Sequence, residues 1–152
     1  MVSSQARSRA VSEPAPGAGV TLVDSNVLLD LFTADPTWSP WSSARLAEAL
    51  DRGPVLINQI VYGEVSVRFS SVEELDRVLA PDRFVRGNLP WPAAFLAARC
   101  FREYRARGGT RTSTLPDFLI GAHAAVLGMR LLTREASRYR KHFPTLNLIA
   151  PD

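Results

Sequence analysis

The stretch Val20–Asp30, VTLVDSNVLLD, decides how the rest of the chain is read. Val20 to Val23 are all β-branched or aliphatic and carry no charge, as a buried strand requires. Asp24 follows at once and Ser25-Asn26 makes a polar elbow. Val27, Leu28, Leu31 and Phe32 then recur with helical spacing, and Asp35-Pro36 ends the run. A strand, an elbow and a helix in that order open a parallel α/β sheet, in which ligands bind just beyond the carboxyl ends of the strands. Asp24 is therefore the first candidate site residue. Asp24 or Ser25 is equally suited to cap the helix.

The same alternation continues outward from this stretch. Trp38–Arg52 is patterned as a helix with Trp41, Ala44, Leu46, Ala47 and Leu50 on its apolar side. Pro54–Ile57 reads as a short strand, and Asn58 as the N-cap of a helix reaching about Phe69. In that helix Ile60, Glu64 and Val67 share a stripe, which puts a carboxylate among apolar neighbours, where it needs a cation, a proton or an opening to solvent. A short helix over Ser71–Leu79, an extended piece at Phe84-Val85 and a helix over Pro92–Arg105 follow. Phe95, Ala98, Phe101 and Tyr104 are expected to face inward in the last of these. Arg107 to Thr110 reads as a flexible loop without the spacing of a phosphate-binding loop.

Thr114–Gly128 is apolar almost all round, the mark of a central, buried helix. Thr114 can cap it, Asp117 sits where a capping box places its acid, and Gly121 suggests close approach by another backbone. Met129–Thr133 is the next strand, with Glu135 just beyond its end. A helix over Ala136–His142 and a strand over Leu146–Ile149 complete the pattern. Alternating strands and helices predict a three-layer α/β/α fold with a mostly parallel central sheet. Residues 20–152 make one domain, and residues 1–19, rich in Ser, Ala, Pro and Gly without apolar pattern, are expected to be a disordered tail. Arg7 and Arg9 precede no apolar stretch, so the tail is not read as a secretory signal.

Composition narrows the function. No apolar run approaches the ~20 residues that span a bilayer. The single cysteine, Cys100, can form no internal disulfide, which fits a reducing cytoplasm. Charge is divided unevenly: residues 19–98 hold six arginines against ten acids, and residues 99–152 hold ten basic residues against four acids. The basic half is suited to holding phosphates. Asp24, Glu64, Asp117 and Glu135 all fall at strand ends or early in helices that open onto one sheet edge. Carboxylates brought together repel, and a divalent ion relieves the repulsion. Oxygen donors without an accompanying His or Cys cluster select Mg²⁺ or Mn²⁺ over zinc, a combination suited to phosphodiester hydrolysis. His123 and His142 are read as structural, and Asp30, a turn or more beyond Asp24, is left out of the site.

Four segments in order, VDSNVLLD, INQIVYGEVS, LPDFLIGAHAAVLGMRLLTRE and YRKHFPTLNLIAPD, resemble PIN-domain proteins, most closely VapC-type ribonuclease toxins. The resemblance spans about residues 20 to 152. It maps the first acid of the family onto Asp24, its helix glutamate onto Glu64, its metal-binding acid onto Asp117 and its strand-end threonine onto Thr133, with Asn26 a further supporting residue. Glu135 stands where many members carry aspartate or asparagine, and its longer arm suits either direct contact with metal or contact through water. The resemblance implies Mg²⁺- or Mn²⁺-dependent cleavage of a structured RNA, a homodimer, and a cognate antitoxin as partner. Two other readings start from the same residues: an RNA-binding or interaction module with an inactive acidic pocket, and an aspartyl-phosphate enzyme using Asp24. The second lacks the acid two residues on, where Asn26 stands, and a late strand-end lysine.

Overall fold

Strand β1 (Thr21–Val23) is the centre of the molecule because all three of its side chains are fully buried, leaving neither face for solvent. The structure is a computed structural model that describes residues 17–109 and 113–151. Around β1 it builds a five-stranded sheet in the order β3-β2-β1-β4-β5, from β2 (Val55–Ile57), β3 (Phe84–Arg86), β4 (Arg130–Leu132) and β5 (Asn147–Ile149). All four strand pairs are parallel, with Leu22 opposite both Leu56 and Leu131. The helices among the described residues are α1 (Ser25–Phe32), α2 (Ser39–Arg52), α3 (Gln59–Ser66), α4 (Val72–Val78), α5 (Trp91–Ala106), α6 (Leu115–Leu127) and α7 (Ser137–Arg140). From β1 the chain steps to β2 and β3 on one side and later to β4 and β5 on the other. Right-handed crossovers then leave the two sets of helices on opposite faces, and the sheet has a switch point between β1 and β4.

The local signals explain the elements. Asp24, Asn58 and Ser71 each cap a helix by accepting a backbone N–H, and Gly128 ends α6 in the left-handed region at φ 69°. Helix α6 is as buried as its composition demands, with Phe118, Ile120, Ala122, His123 and Ala124 all at or near zero exposure.

Several inward-facing assignments shift. Helix α3 stops at Ser66, so Val67 is its C-cap and 85% exposed, and the buried positions are Val61 and Val65. In α5 the small residues Ala93 and Ala97 face the core, which lets the helix lie close against α6, whereas Phe95 is 65% exposed beneath the Arg99 guanidinium. Ala98 is exposed as well. In α2, Ala44 and Ala47 are exposed and the polar Ser42 is buried, because its hydroxyl donates to Asp30 Oδ2 at 2.7 Å. What crowds Gly121 is aromatic side chain and not backbone: a Cβ there would lie 2.6 Å from the Phe143 ring and 3.0 Å from Tyr139.

Gly17 to Gly19, placed in the tail by sequence, form a turn tied to the domain. Gly17 N donates to Leu127 O at 2.7 Å, and Arg130 Nη2 donates to Gly19 O at 3.1 Å. The rest of the expected tail lies outside the described residues, as do Thr110 of the expected loop and Arg111. No helix among the described residues is long and apolar enough to cross a membrane.

Candidate active site

The switch point puts the carboxyl ends of β1 and β4 side by side, so Asp24 and Thr133 meet there although 109 residues separate them in sequence. Asp24, only 2% exposed, is held from four directions. Its Oδ1 accepts from Ser25 N at 2.8 Å, and its Oδ2 accepts from Tyr139 Oη at 2.7 Å, Thr133 Oγ1 at 2.8 Å and Asn26 Nδ2 at 3.3 Å. The capping role and the site role of Asp24 are thus filled by the same carboxylate. Asn26 Nδ2 also reaches Thr133 Oγ1 at 3.3 Å, and Arg134 N donates to Asn26 Oδ1 at 3.3 Å, which fixes the elbow against the end of β4.

Glu64 approaches from α3. Ser25 Oγ donates to its Oε1 at 2.8 Å, so the residue after the first acid positions the second. Asp117 approaches from the first turn of α6, where its Oδ2 accepts from Thr114 N at 2.8 Å and Thr114 Oγ1 at 3.0 Å. Arg138 Nη1 stands 3.6 Å from Asp117 Oδ1.

Two of the acids are shifted by burial and by their neighbours. Burial pushes the Asp24 carboxyl above its ordinary range, and the Asp117 charge adds to the rise, against the lowering effect of the hydrogen bonds from Tyr139, Thr133 and Ser25. Glu64 is also raised, first by burial and then by the charges of Asp24 and Asp117, with the Ser25 hydrogen bond and Arg138 opposing. Tyr139 is fully buried, and its phenol is raised well above its usual value by burial and by Asp24, so it stays a hydrogen-bond donor.

Glu135 is not brought into this group. Its Oε1 is drawn away by Arg134 Nη1 at 3.0 Å, and its backbone N donates to Thr133 Oγ1 at 3.0 Å. Arg134 in turn holds the buried Asp30 through Nε at 2.9 Å and 3.1 Å and lies over the Trp38 ring. Asp30 therefore belongs to a neighbouring ion cluster with Ser42, Arg134 and Glu135. The histidines behave as structural residues. Asn58 Nδ2 meets His123 Nδ1 at 3.0 Å inside the core, while His142 packs against the rings of Tyr104 and Phe118, and burial lowers the pKa of both.

Ser25, Tyr139 and Arg138 are contacts of the acidic group that sequence reasoning missed as such. Ser25 stood in view as a capping residue. Tyr139 stood in view only as the first residue of a segment that carries the family resemblance, with no role assigned to it.

Among the described residues no group of three or more His, Cys, Asp or Glu side chains closes on one point tightly enough to grip an ion as it stands. The donor chemistry nevertheless fits a hard divalent cation. Asp24, Glu64 and Asp117 supply only oxygens, and burial, with some help from the neighbouring acids, disfavours the charge on Asp24 and Glu64, a cost that a bound cation offsets.

The sequence pattern of the PIN domain matches residues 21–142, which takes in Asp24, Glu64, Asp117 and Thr133. The chain belongs to the PIN-domain family. Solved structures agree with the fold of this PIN domain. VapBC2 from Rickettsia felis bound to a promoter DNA fragment is similar at a TM-score of 0.66 and 18% identity, over 88% of this chain and 99% of the other. VapBC-1 from nontypeable Haemophilus influenzae is similar at 0.65 and 16%, over 86% and 97%. A toxin-antitoxin complex from Klebsiella pneumoniae is similar at 0.59 and 26%, over 87% and 98%. No curated protein sequence matches this PIN domain.

Proposed function

We propose that this PIN domain is a Mg²⁺- or Mn²⁺-dependent endoribonuclease, the VapC-type toxin of a toxin-antitoxin pair. The convergence of Asp24, Glu64 and Asp117 beyond the switch point carries the reading, since it gathers the cap of α1 and acids of α3 and α6 at the place where α/β sheets bind ligands. Asp24 and Asp117 would hold the ion. When bound it supplies a Lewis acid for the scissile phosphate and a lowered pKa for the attacking water.

The chain's own residues prepare that chemistry. Tyr139, Thr133 and Asn26 fasten Asp24 by Oδ2, and Ser25 N fastens it by Oδ1, so the carboxylate is oriented before substrate arrives. Ser25 holds Glu64 by Oε1, which leaves Oε2 as the atom to take the proton of the attacking water. The raised pKa of Glu64 suits it to a base. Arg138, beside Asp117, offers positive charge to a phosphate oxygen. Arg134 keeps Glu135 out of the acid group, so its contribution is to seat Thr133 through its N–H.

The VapBC and toxin-antitoxin complexes among the similar structures support an antitoxin partner for this chain, and a homodimer in the cytoplasm belongs to the same proposal. A structured RNA such as tRNA or rRNA is the expected substrate. The test is incubation of purified protein with total cellular RNA in Mg²⁺, Mn²⁺ or EDTA, followed by mapping of new ends. Discrete fragments that need metal, absent in Asp24→Asn and Asp117→Asn, are the expected result. Undiminished cleavage by both variants, or equal cleavage in EDTA, overturns the proposal, and RNA binding without any cleavage favours the interaction-module reading.

A further inference from the structure

A second cleft, of about 290 Å³, lies between the end of α5 and α7 and is lined by Arg107, Lys141, His142, Ser113 and Ser137. Among the described residues neither Arg107 nor Lys141 is in an ion pair, and both border this one cleft. Between them lies His142, whose pKa burial lowers first, with Lys141 and Arg107 adding to the fall and the exposed Glu103 opposing it. The His142 ring is held edge-on to Tyr104 at 5.2 Å and tilted to Phe118 at 4.8 Å, so it does not swing away from its charged neighbours. Two cations and two hydroxyls on the wall of one cleft form a site whose complement is an anion.

The cleft adjoins the acidic group by chain neighbours on both walls. Ser113 precedes Thr114, which holds Asp117, and Ser137 precedes Arg138, which faces the same carboxylate. We propose that this cleft seats a backbone phosphate of the RNA, next to the one that is cut, with Arg107 and Lys141 as its charge partners and Ser113 and Ser137 as hydroxyl donors. The RNA part rests on the ribonuclease reading, and the anion site itself does not. Such a grip spans the acid group and the cleft with one strand and sets the direction in which RNA lies across the site.

The test uses the full chain in EDTA, where nothing is cut. Binding of a fluorescent single-stranded oligoribonucleotide is followed by anisotropy over a range of KCl. Each phosphate neutralised on a single strand contributes about 0.7 to the slope of log affinity against log salt, so R107Q/K141Q, which empties the one phosphate seat, is expected to lower it by about 0.7. R99Q/R102Q removes equal charge from exposed positions on α5 away from the cleft and is expected to leave the slope unchanged. In parallel, titration with inorganic phosphate is expected to move the His142 ring signals in NMR spectra of the parent but not of R107Q/K141Q.

An unchanged slope in R107Q/K141Q, or an equal fall in R99Q/R102Q, overturns the site. Phosphate shifts without any slope change assign the cleft to a free anion and overturn its role in RNA binding. Absence of metal-dependent cleavage with intact phosphate shifts defeats the ribonuclease reading alone.

Discussion

Replacing Tyr139 by Phe removes one oxygen from the centre of the site and nothing else. The ring is fully buried and keeps its packing, so no cavity opens, and the loss is that of a 2.7 Å hydrogen bond to Asp24 Oδ2. A hydrogen bond to a charged group contributes about 1.5–3 kcal/mol and one between neutral groups about 0.5–1.5 kcal/mol. Thr133, Ser25 and Asn26 still serve the carboxylate after the change, which places the loss near the lower end, about 1.5–2 kcal/mol where Asp24 is ionised and about 0.5–1 kcal/mol where it is protonated. The deficit therefore grows as pH rises. Urea unfolding of parent and Y139F in EDTA at pH 5 and pH 8 reads it directly, with the slope m unchanged and the midpoint moved. At pH 8 the thermal midpoint is expected to fall by roughly 3–8 °C for a domain of this size. Because the Tyr139 hydrogen bond lowers the Asp24 pKa, its loss also makes Asp24 harder to ionise, and RNA cleavage should fall most on the acid side of the pH profile. A deficit below about 0.5 kcal/mol at both pH values, or one that shrinks as pH rises, refutes the view that Tyr139 holds a carboxylate.

Mn²⁺ at about 100 times its dissociation constant is expected to stabilise the parent by about 2.7 kcal/mol, read as a raised thermal midpoint, and to leave Asp24→Asn and Asp117→Asn unmoved; equal stabilisation of both variants sinks the assignment of those acids. In EDTA the parent should lose stability as pH rises above the ordinary carboxylate range of about 4, because burial raises Asp24 and Glu64 and the folded chain then binds more protons than the unfolded one. That stability is complete below the unfolded pKa and is gone once pH has passed the folded one. Asp117→Asn should flatten the dependence, as measured by urea midpoints from pH 4.5 to 7.5, and a rise in stability over that span contradicts the sign. Gly63 lies exposed inside α3 with nothing within 4 Å of an added Cβ, so Gly63→Ala should raise stability by about 0.5–1 kcal/mol in the same assay, and a loss would mean that something approaches this backbone.

How far the primary structure could be read follows from the range of each signal. Local signals are complete within a few residues: an uncharged β-branched run before Asp24, an N-cap at Asn58, an apolar run ended by Gly128. These determined the elements, their order, and hence a parallel sheet with Asp24 at a strand end. Facing was less legible wherever several residues were equally apolar. In α5 the spacing of Phe95 and Ala98 offered a stripe as good as that of Ala93 and Ala97, and only the close approach of α6 selected the small side chains.

The site shows the same division. By itself the chain named Asp24, Glu64, Asp117, Glu135, Asn26 and Thr133, because polar residues at strand ends and helix starts are set by short-range pattern. Only the tertiary structure decided that Ser25 bridges to Glu64 across 39 residues and that Tyr139 reaches Asp24 across 115. It also decided that Glu135 goes to Arg134 instead of joining the other acids. The physical reason is that a carboxylate is satisfied by any donor within about 3 Å, and which donors come that near is fixed by how strands and helices cross, a property no single segment contains.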